Sequence, residues 1–372
     1  MTLRLPVLPP VSPMLAKPTG ARVPAPDSVA GGLAYEPKWD GFRCVLFRDG
    51  DDVVVQGRSG DDLAYAFPEM VDAARRLLPE RVVLDGELVV VVDDRLSFES
   101  LTKRIRPRKE AGGWKIAELA EQWPTSYVAF DLLADDDTDL RERAYADRRD
   151  RLEQLLHTVP APFHLTPVTR DPDEARRWFE VFEGAGLDGV IAKPLADPYR
   201  EGVRALLKVK HARTADVVVA GWRAHKQPGP DGQPVVGSLL LGLYDDAGRL
   251  HHVGVASSFT AARRADLVDE LAAYALDDLS EHPWSEWADA QAHASGRMPG
   301  AVSRWTGGKD LSWTPLRPDL VAEVGYDHLE GDRFRHVAQW KRWRPDRDPL
   351  SCTYDQLERP VRFDLASILG DT

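Results

Sequence analysis

Cysteine is scarce in this chain. Cys44 and Cys352 are the only two. They exclude a four-cysteine zinc site within one chain and any disulfide framework beyond one bridge, and they lead us to expect a reduced, cytoplasmic setting. No apolar run approaches the ~18 residues of a membrane span. Met1 to Leu8 carries one arginine and early prolines, so no signal peptide is expected. No repeat and no low-complexity tract is visible. Positive charge is also in deficit: 48 Lys plus Arg against 60 Asp plus Glu give a net charge of -12. That excludes coating nucleic acid by bulk charge. Lysine is the rarer cation, at 11 of those 48. Generic surface positives are therefore arginine, and each lysine is informative.

The 372 residues suit two domains of ~100–200 residues each. Residues 1 to about 30 are rich in proline and glycine and read as an extended lead-in. Cys44–Phe47 and Val53–Gln56 flank an Asp-Gly turn and read as a hairpin. Val82–Leu84 and Leu88–Val92 read as strands around a short turn at Asp85-Gly86-Glu87, and Tyr127–Leu133 as a buried strand. Helical spacing covers Pro68–Leu78, Tyr145–Leu156 and Asp173–Phe182. Val190–Lys193 and Ala205–Val209 read as strands. From about Asp216 short strands follow one another, broken by one helix at Ala261–Tyr274, which fits a small β-barrel such as an OB-fold.

A Walker-type phosphate loop, H-E-x-x-H and G-x-S-x-G are absent. Gly184-Ala185-Gly186-Leu187-Asp188-Gly189 has the letters of a dinucleotide fingerprint, but it follows a helix and opens a strand, so it reads as a helix stop. Glu36-Pro37-Lys38-Trp39-Asp40-Gly41-Phe42-Arg43 is the unusual segment. Its lysine lies between two acids, after a rigid proline and before a glycine. It is either a surface Lys-Asp pair at a strand end or a covalent nucleophile, whose amine must lose a proton to attack.

Lys38, Asp40, Gly41 and Arg43 resemble in full the K-x-D-G-x-R motif of the covalent nucleotidyltransferases: ATP-dependent DNA ligases, RNA ligases and mRNA capping enzymes. Five further elements resemble that family in order: Asp85-Gly86-Glu87, Phe130-Asp131, Asp188-Gly189-Val190, Lys208-Val209-Lys210, and Arg342-Trp343-Arg344-Pro345-Asp346. One departure is visible: Asp188 stands where glutamate is usual, with a reach shorter by one methylene. The resemblance implies an α+β fold of two domains: an adenylation domain of antiparallel sheets with flanking helices over residues 1–212, then an OB-fold barrel over 213–349. Residues 350–372 would form a C-terminal extension.

By the same resemblance Lys38 attacks the α-phosphorus of ATP and holds AMP, with Asp40, Lys208 and Lys210 completing the catalytic set. Glu36, Pro37, Arg43, Arg58, Glu87, Phe130, Val190 and Ile191 meet the nucleotide, and Arg342 and Arg344 orient the leaving pyrophosphate. Glu87 and Asp188 are the expected ligands of Mg²⁺ or Mn²⁺. Without the family pattern, Phe130, Val190 and Ile191 read equally as core residues, and the paired lysines and arginines as solvated faces.

Pro13-Met14-Leu15-Ala16, Trp305–Trp313 and Arg333–Asp346 resemble the compact actinobacterial C-type DNA ligases. An NAD-dependent ligase is not expected, because Lys38 is too close to the start and the zinc cysteines are missing. The expected activity is sealing of 3′-hydroxyl/5′-phosphate nicks in duplex DNA. The competing readings are an RNA ligase or other nucleotidyltransferase, and a silent OB-fold nucleic-acid binder. Lys103, Arg104, Arg106, Arg108 and Lys109 form a basic run expected to contact DNA phosphate. The resemblance also implies nicked DNA as partner, a primase-like repair polymerase beside it, a monomer, no membrane association, and a place at the nucleoid during repair.

Overall fold

The protein, seen here as a computed structural model, is described at residues 3–105, 113–285, 312–327, 329–358 and 363–369. The chain divides into two units: Met1–His211 with Pro360–Thr372, and Ala212–Arg359.

Valine-, leucine- and tyrosine-rich runs make the strands of the first unit, and prolines at the first turn open two of its helices. In chain order the elements are β1 (Leu15–Pro18), β2 (Leu33–Pro37), β3 (Phe42–Asp49), β4 (Asp52–Gly57), α1 (Pro68–Leu77), β5 (Arg81–Val92), β6 (Arg95–Leu96), α2 (Phe98–Arg104) and α3 (Gly113–Gln122). They continue with β7 (Thr125–Asp135), β8 (Thr138–Asp139), α4 (Tyr145–Leu156), β9 (Phe163–Leu165), α5 (Pro172–Val181), β10 (Val190–Pro194) and β11 (Arg204–Val209).

One sheet runs β4-β3-β5-β7-β8, with β6 on β5 and β9 on β7; a second runs β1-β11-β10-β2. Strand alternation sorts the side chains. Val45, Phe47, Val83 and Leu133 share a core with Leu206 of the second sheet and with Met14, just before β1. Leu46, Leu84 and Leu132 point the other way, under Met70 and Ala74 of α1 and Leu152 of α4. The two sheets therefore face each other, and helices cover the back of the first.

Two features differ from the sequence expectation. Asp85-Gly86-Glu87 is not a turn but the middle of unbroken β5, paired to β3 and β7 on both sides. Gly86 is required there by close approach: a Cβ would lie 2.5 Å from Tyr127 Cζ and 2.6 Å from the Val128 carbonyl oxygen. The proline-rich lead-in, in turn, contains β1, which pairs in parallel with β11.

The second unit holds β12 (Arg213–Ala224), β13 (Val236–Tyr244), β14 (Leu250–Ala256), α6 (Ala261–Ala272), β15 (Thr314–Tyr326), β16 (Leu329–Glu330), β17 (Arg333–Phe334) and β18 (Gln339–Trp343). Its main sheet runs β14-β13-β12-β15-β18. A bridge between Ala256 and Ala338 joins the two edges, so the sheet closes as a barrel around Val217, Leu239, Leu241, Trp284 and Val324. Residues 350–372 divide between the units. Cys352 and Leu357 join the barrel core, whereas α7 (Ala366–Leu369) packs in the first unit.

Asp131 on β7 and Arg148 on α4 form a buried pair, with Nε–Oδ1 at 2.7 Å and Nη2–Oδ2 at 2.9 Å. Burial pushes the Asp131 carboxyl up, but Arg148 outweighs it and holds it below the usual aspartate value. This stabilisation is present above the ordinary aspartate pKa and is lost as pH falls through the lowered one. We expect Arg148→Met alone to destabilise the unit by about 3–5 kcal/mol, since a buried carboxylate is left unpaired. Asp131→Leu/Arg148→Met should lose clearly less, as read by denaturant unfolding at pH 7.

Candidate active site

Lys38 follows the last residue of β2, Asp188 precedes β10, and Lys210 follows β11. These strands are neighbours in the order β11-β10-β2, so the aspartate stands between the two lysines. The backbone closes the arrangement: Lys38 N donates to Gly189 O at 2.8 Å, and Asp188 N donates to Lys38 O at 2.9 Å. Lys38 Nζ lies 2.6 Å and Lys210 Nζ 2.7 Å from the same oxygen, Asp188 Oδ2. Burial raises the Asp188 carboxyl, yet the two ammonium groups win and hold it below the usual range. Lys208 is pushed down by burial and by its neighbours Lys210 and Lys38.

A cavity of about 220 Å³ opens between the two sheets of the first unit. Of the residues expected at the site, Glu36, Pro37, Lys38, Arg43, Arg58, Glu87, Phe130, Ile191 and Lys208 line it. Asp188 and Lys210 stand behind Lys38 rather than on the wall. Asp40 is half-buried in the connection between β2 and β3.

Val190 does not belong with Ile191. It is buried among Leu33, Tyr35 and Ala175, because neighbouring strand residues point to opposite faces and only Ile191 points to the cavity. Arg342 and Arg344 lie on the barrel unit. Arg342 pairs with Glu323 at 2.7 Å, and Arg344 with Asp216 at 3.0 Å and Asp346 at 2.8 Å.

The basic run is also corrected in part. Arg104 is buried, forked onto Glu69 at 2.7 and 2.9 Å, and donates to the carbonyls of Ala66 and Trp123. A guanidinium so enclosed holds α2 against α1 and does not reach phosphate. Lys103 is half-buried, 2.7 Å from Glu99. Arg106, Arg108 and Lys109 lie outside the described residues, as does most of Trp305–Trp313.

Each wall is fixed from behind. Glu36 is buried, accepts the Tyr145 hydroxyl proton at Oε1, and pairs with Lys193 at 2.9 Å. Lys193 Nζ also donates to Phe130 O at 2.8 Å and stands 4.8 Å from the Phe130 ring. Sequence reasoning missed Lys193, although it sits two residues after Ile191 on the same strand face of a lysine-poor chain. Arg204 and Trp39, both on the wall, were missed as well.

Arg43 is forked onto buried Asp85 at 3.0 and 2.6 Å, and Tyr199 donates to Asp85 Oδ2 at 2.6 Å. That anchor sets the Arg43 guanidinium 5.1 Å from the Phe130 ring. Glu87 accepts from Gly41 N at 3.2 Å; burial pushes its carboxyl up to about 7 against the opposing pull of Lys38 and Arg43. The cavity thus has an aromatic side wall with a paired acid beside it and a cationic end at Lys38, Arg43 and Lys208. Such a gradient suits a nucleoside at one end and its phosphates at the other.

Among the described residues, no helix is long and apolar enough to cross a membrane. The family model "ATP dependent DNA ligase domain" matches residues 13–210, and "ATP dependent DNA ligase C terminal region" matches 232–347. "DNA ligase C2" of Mycolicibacterium smegmatis is 52% identical over 359 residues, covering 96% of each chain. "DNA ligase C" of Mycobacterium tuberculosis is 48% identical over 374 residues, covering 99% of each. A solved Lig E DNA ligase has a TM-score of 0.52 at 15% identity over 89% of this chain and 99% of that one, which shows a shared fold. With both family domains in order and near full-length likeness to curated ligases, this chain belongs to the ATP-dependent DNA ligases, as an adenylation domain followed by an OB-fold barrel.

Proposed function

We propose that this ATP-dependent DNA ligase stores AMP on Lys38 and spends it on sealing 3′-hydroxyl/5′-phosphate nicks through a DNA-adenylate. The observation that carries the reading is the pair of lysines on one carboxylate oxygen, beside a cavity lined by Phe130, Glu36 and the cations Lys38, Arg43 and Lys208. Asp188, kept ionised, holds Lys38 Nζ in place. The Lys38 amine must shed its proton before it attacks. The neutral amine attacks the α-phosphorus, the N–P bond forms, and the bond to pyrophosphate breaks with its electron pair leaving on pyrophosphate. Lys208 and Arg43 offset charge developing on the α-phosphate. Phe130 stacks on the base, Ile191 packs its other face, and Glu36 meets its edge. Arg342 and Arg344 turn to the pyrophosphate only by leaving the acids that now hold them.

Among the described residues, no three His, Cys, Asp or Glu side chains converge on a metal cage. Mg²⁺ needs only one or two carboxylates when substrate phosphates complete its shell. Glu87, whose side chain lines the cavity, is the carboxylate placed to serve there; Asp188 is already held by two ammonium groups. A bound Mg²⁺ or Mn²⁺ would supply charge neutralisation at the phosphates. A monomer working in repair beside a primase-like polymerase, at the nucleoid, is a reading that rests on family resemblance alone.

Intact mass spectrometry tests the central step. With ATP and Mg²⁺ the protein should gain one AMP, GTP should leave it unchanged, and addition of nicked DNA should discharge it. Lys38→Ala should gain nothing. A native protein that takes up no AMP overturns the reading.

Glu87 gives a second prediction. Its raised pKa adds stability below the ordinary glutamate value, and that contribution is lost as pH rises through about 7. Glu87→Gln should therefore raise the melting temperature more at pH 8 than at pH 5, while slowing AMP transfer at both. Equal shifts at both pH values would contradict the burial argument.

A further inference from the structure

The segment after the barrel returns to the first unit, and its destination is the back of the nucleophile's neighbour. We propose that residues 363–369 are a positioning element for Lys38: they close the apolar socket around Trp39, and AMP transfer depends on that closure. The inference rests on the reading of Lys38 as the nucleophile.

Trp39 is buried, and its indole N–H donates to Thr166 Oγ1 at 2.8 Å. It belongs to a core cluster with Val128, Phe182 and Leu187, and two of the cluster's buried members are Leu365 and Ile368. Leu187 is the residue before Asp188, and its N donates to Phe182 O at 3.3 Å. The segment thus packs into the one cluster that contains both the residue after Lys38 and the residue before Asp188. It is also a built turn. Asp364 accepts from Ala366 N at 2.9 Å, Leu365 N donates to Asp94 O at 3.3 Å, and the Phe363 ring lies 5.2 Å from that of Phe182. Leu365, Ile368 and Leu369 recur at helical spacing on one face.

The 2.6 Å contact between Lys38 and Asp188 is held by short backbone bonds, so a small shift of Trp39 or Leu187 moves one partner against the other. Packed interiors transmit such shifts.

The test uses the full chain with Leu365→Asp/Ile368→Asp. Two rates are compared: AMP transfer from ATP to the protein, and sealing of a nick that already bears a 5′-adenylate, which does not need Lys38 as nucleophile. AMP transfer should fall about 10–100-fold, the scale of a small misplacement of a reacting group. Sealing of the adenylated nick should stay unchanged, and the volume-matched Leu365→Ile/Ile368→Leu should restore transfer. Unchanged AMP transfer, or equal loss of both steps with a lowered melting temperature, overturns the proposal. If the charged variant does not fold, Leu365→Ala/Ile368→Ala carries the same comparison. Lys38→Ala run in parallel separates the two readings. Residual AMP uptake there defeats the nucleophile assignment itself, whereas an inert Lys38→Ala beside an unaffected segment variant defeats only the positioning role.

Discussion

The site depends on one carboxylate oxygen shared by two ammonium groups. Asp188 Oδ2 is nearly removed from water, and a buried anion is tolerated only with close positive partners. Lys38 and Lys210 provide them from the two strands that flank its own. The order β11-β10-β2 is thus an electrostatic requirement as well as a topological fact.

The same constraint explains how aspartate serves where the family resemblance expects glutamate. The shorter side chain still reaches both amines, because the paired bonds Lys38 N to Gly189 O and Asp188 N to Lys38 O draw the two backbones together. A similar division of labour recurs across the cavity. Asp85 anchors Arg43, and Glu36 anchors Lys193, so these two cavity-facing cations are each aimed by an opposite charge. Arginine on the buried aspartate keeps a fork geometry, while the lysines act as point charges. The scarcity of lysine then has a physical reading. Lys38, Lys193 and Lys208 line the cavity and Lys210 braces it, so four of the chain's 11 lysines gather at one site.

Much of this was legible in the sequence where a short pattern determines geometry. Helical spacing located Tyr145–Leu156 to the residue. The glycine-rich 184–189 segment reads as a stop, and the turn Phe182–Ala185 indeed ends at left-handed Gly186. What stayed hidden depends on partners far along the chain. A glycine between two acids reads as a turn unless one knows that Tyr127 from β7 crosses it. Arg104 reads as a free cation in a basic run unless Glu69, 35 residues earlier, is known to lie beneath it. Val190 and Ile191 are both apolar, and only the register of β10 tells which one meets the cavity. The apolar spacing of Leu365, Ile368 and Leu369 spans a single turn, too short for the sequence alone to distinguish a helix from a loop.

The acidic balance is resolved by the same pairing. The hairpin rich in aspartate is not a bare negative face: Arg81 holds Asp136 and Asp137, Arg141 holds Asp139, and Arg151 holds Asp135. On the barrel, Arg342 and Arg344 are likewise matched by Glu323, Asp216 and Asp346. Charges neutralised within a few ångströms project little field beyond a Debye length of about 8–10 Å. The net value of -12 therefore overstates the repulsion a duplex meets at a distance.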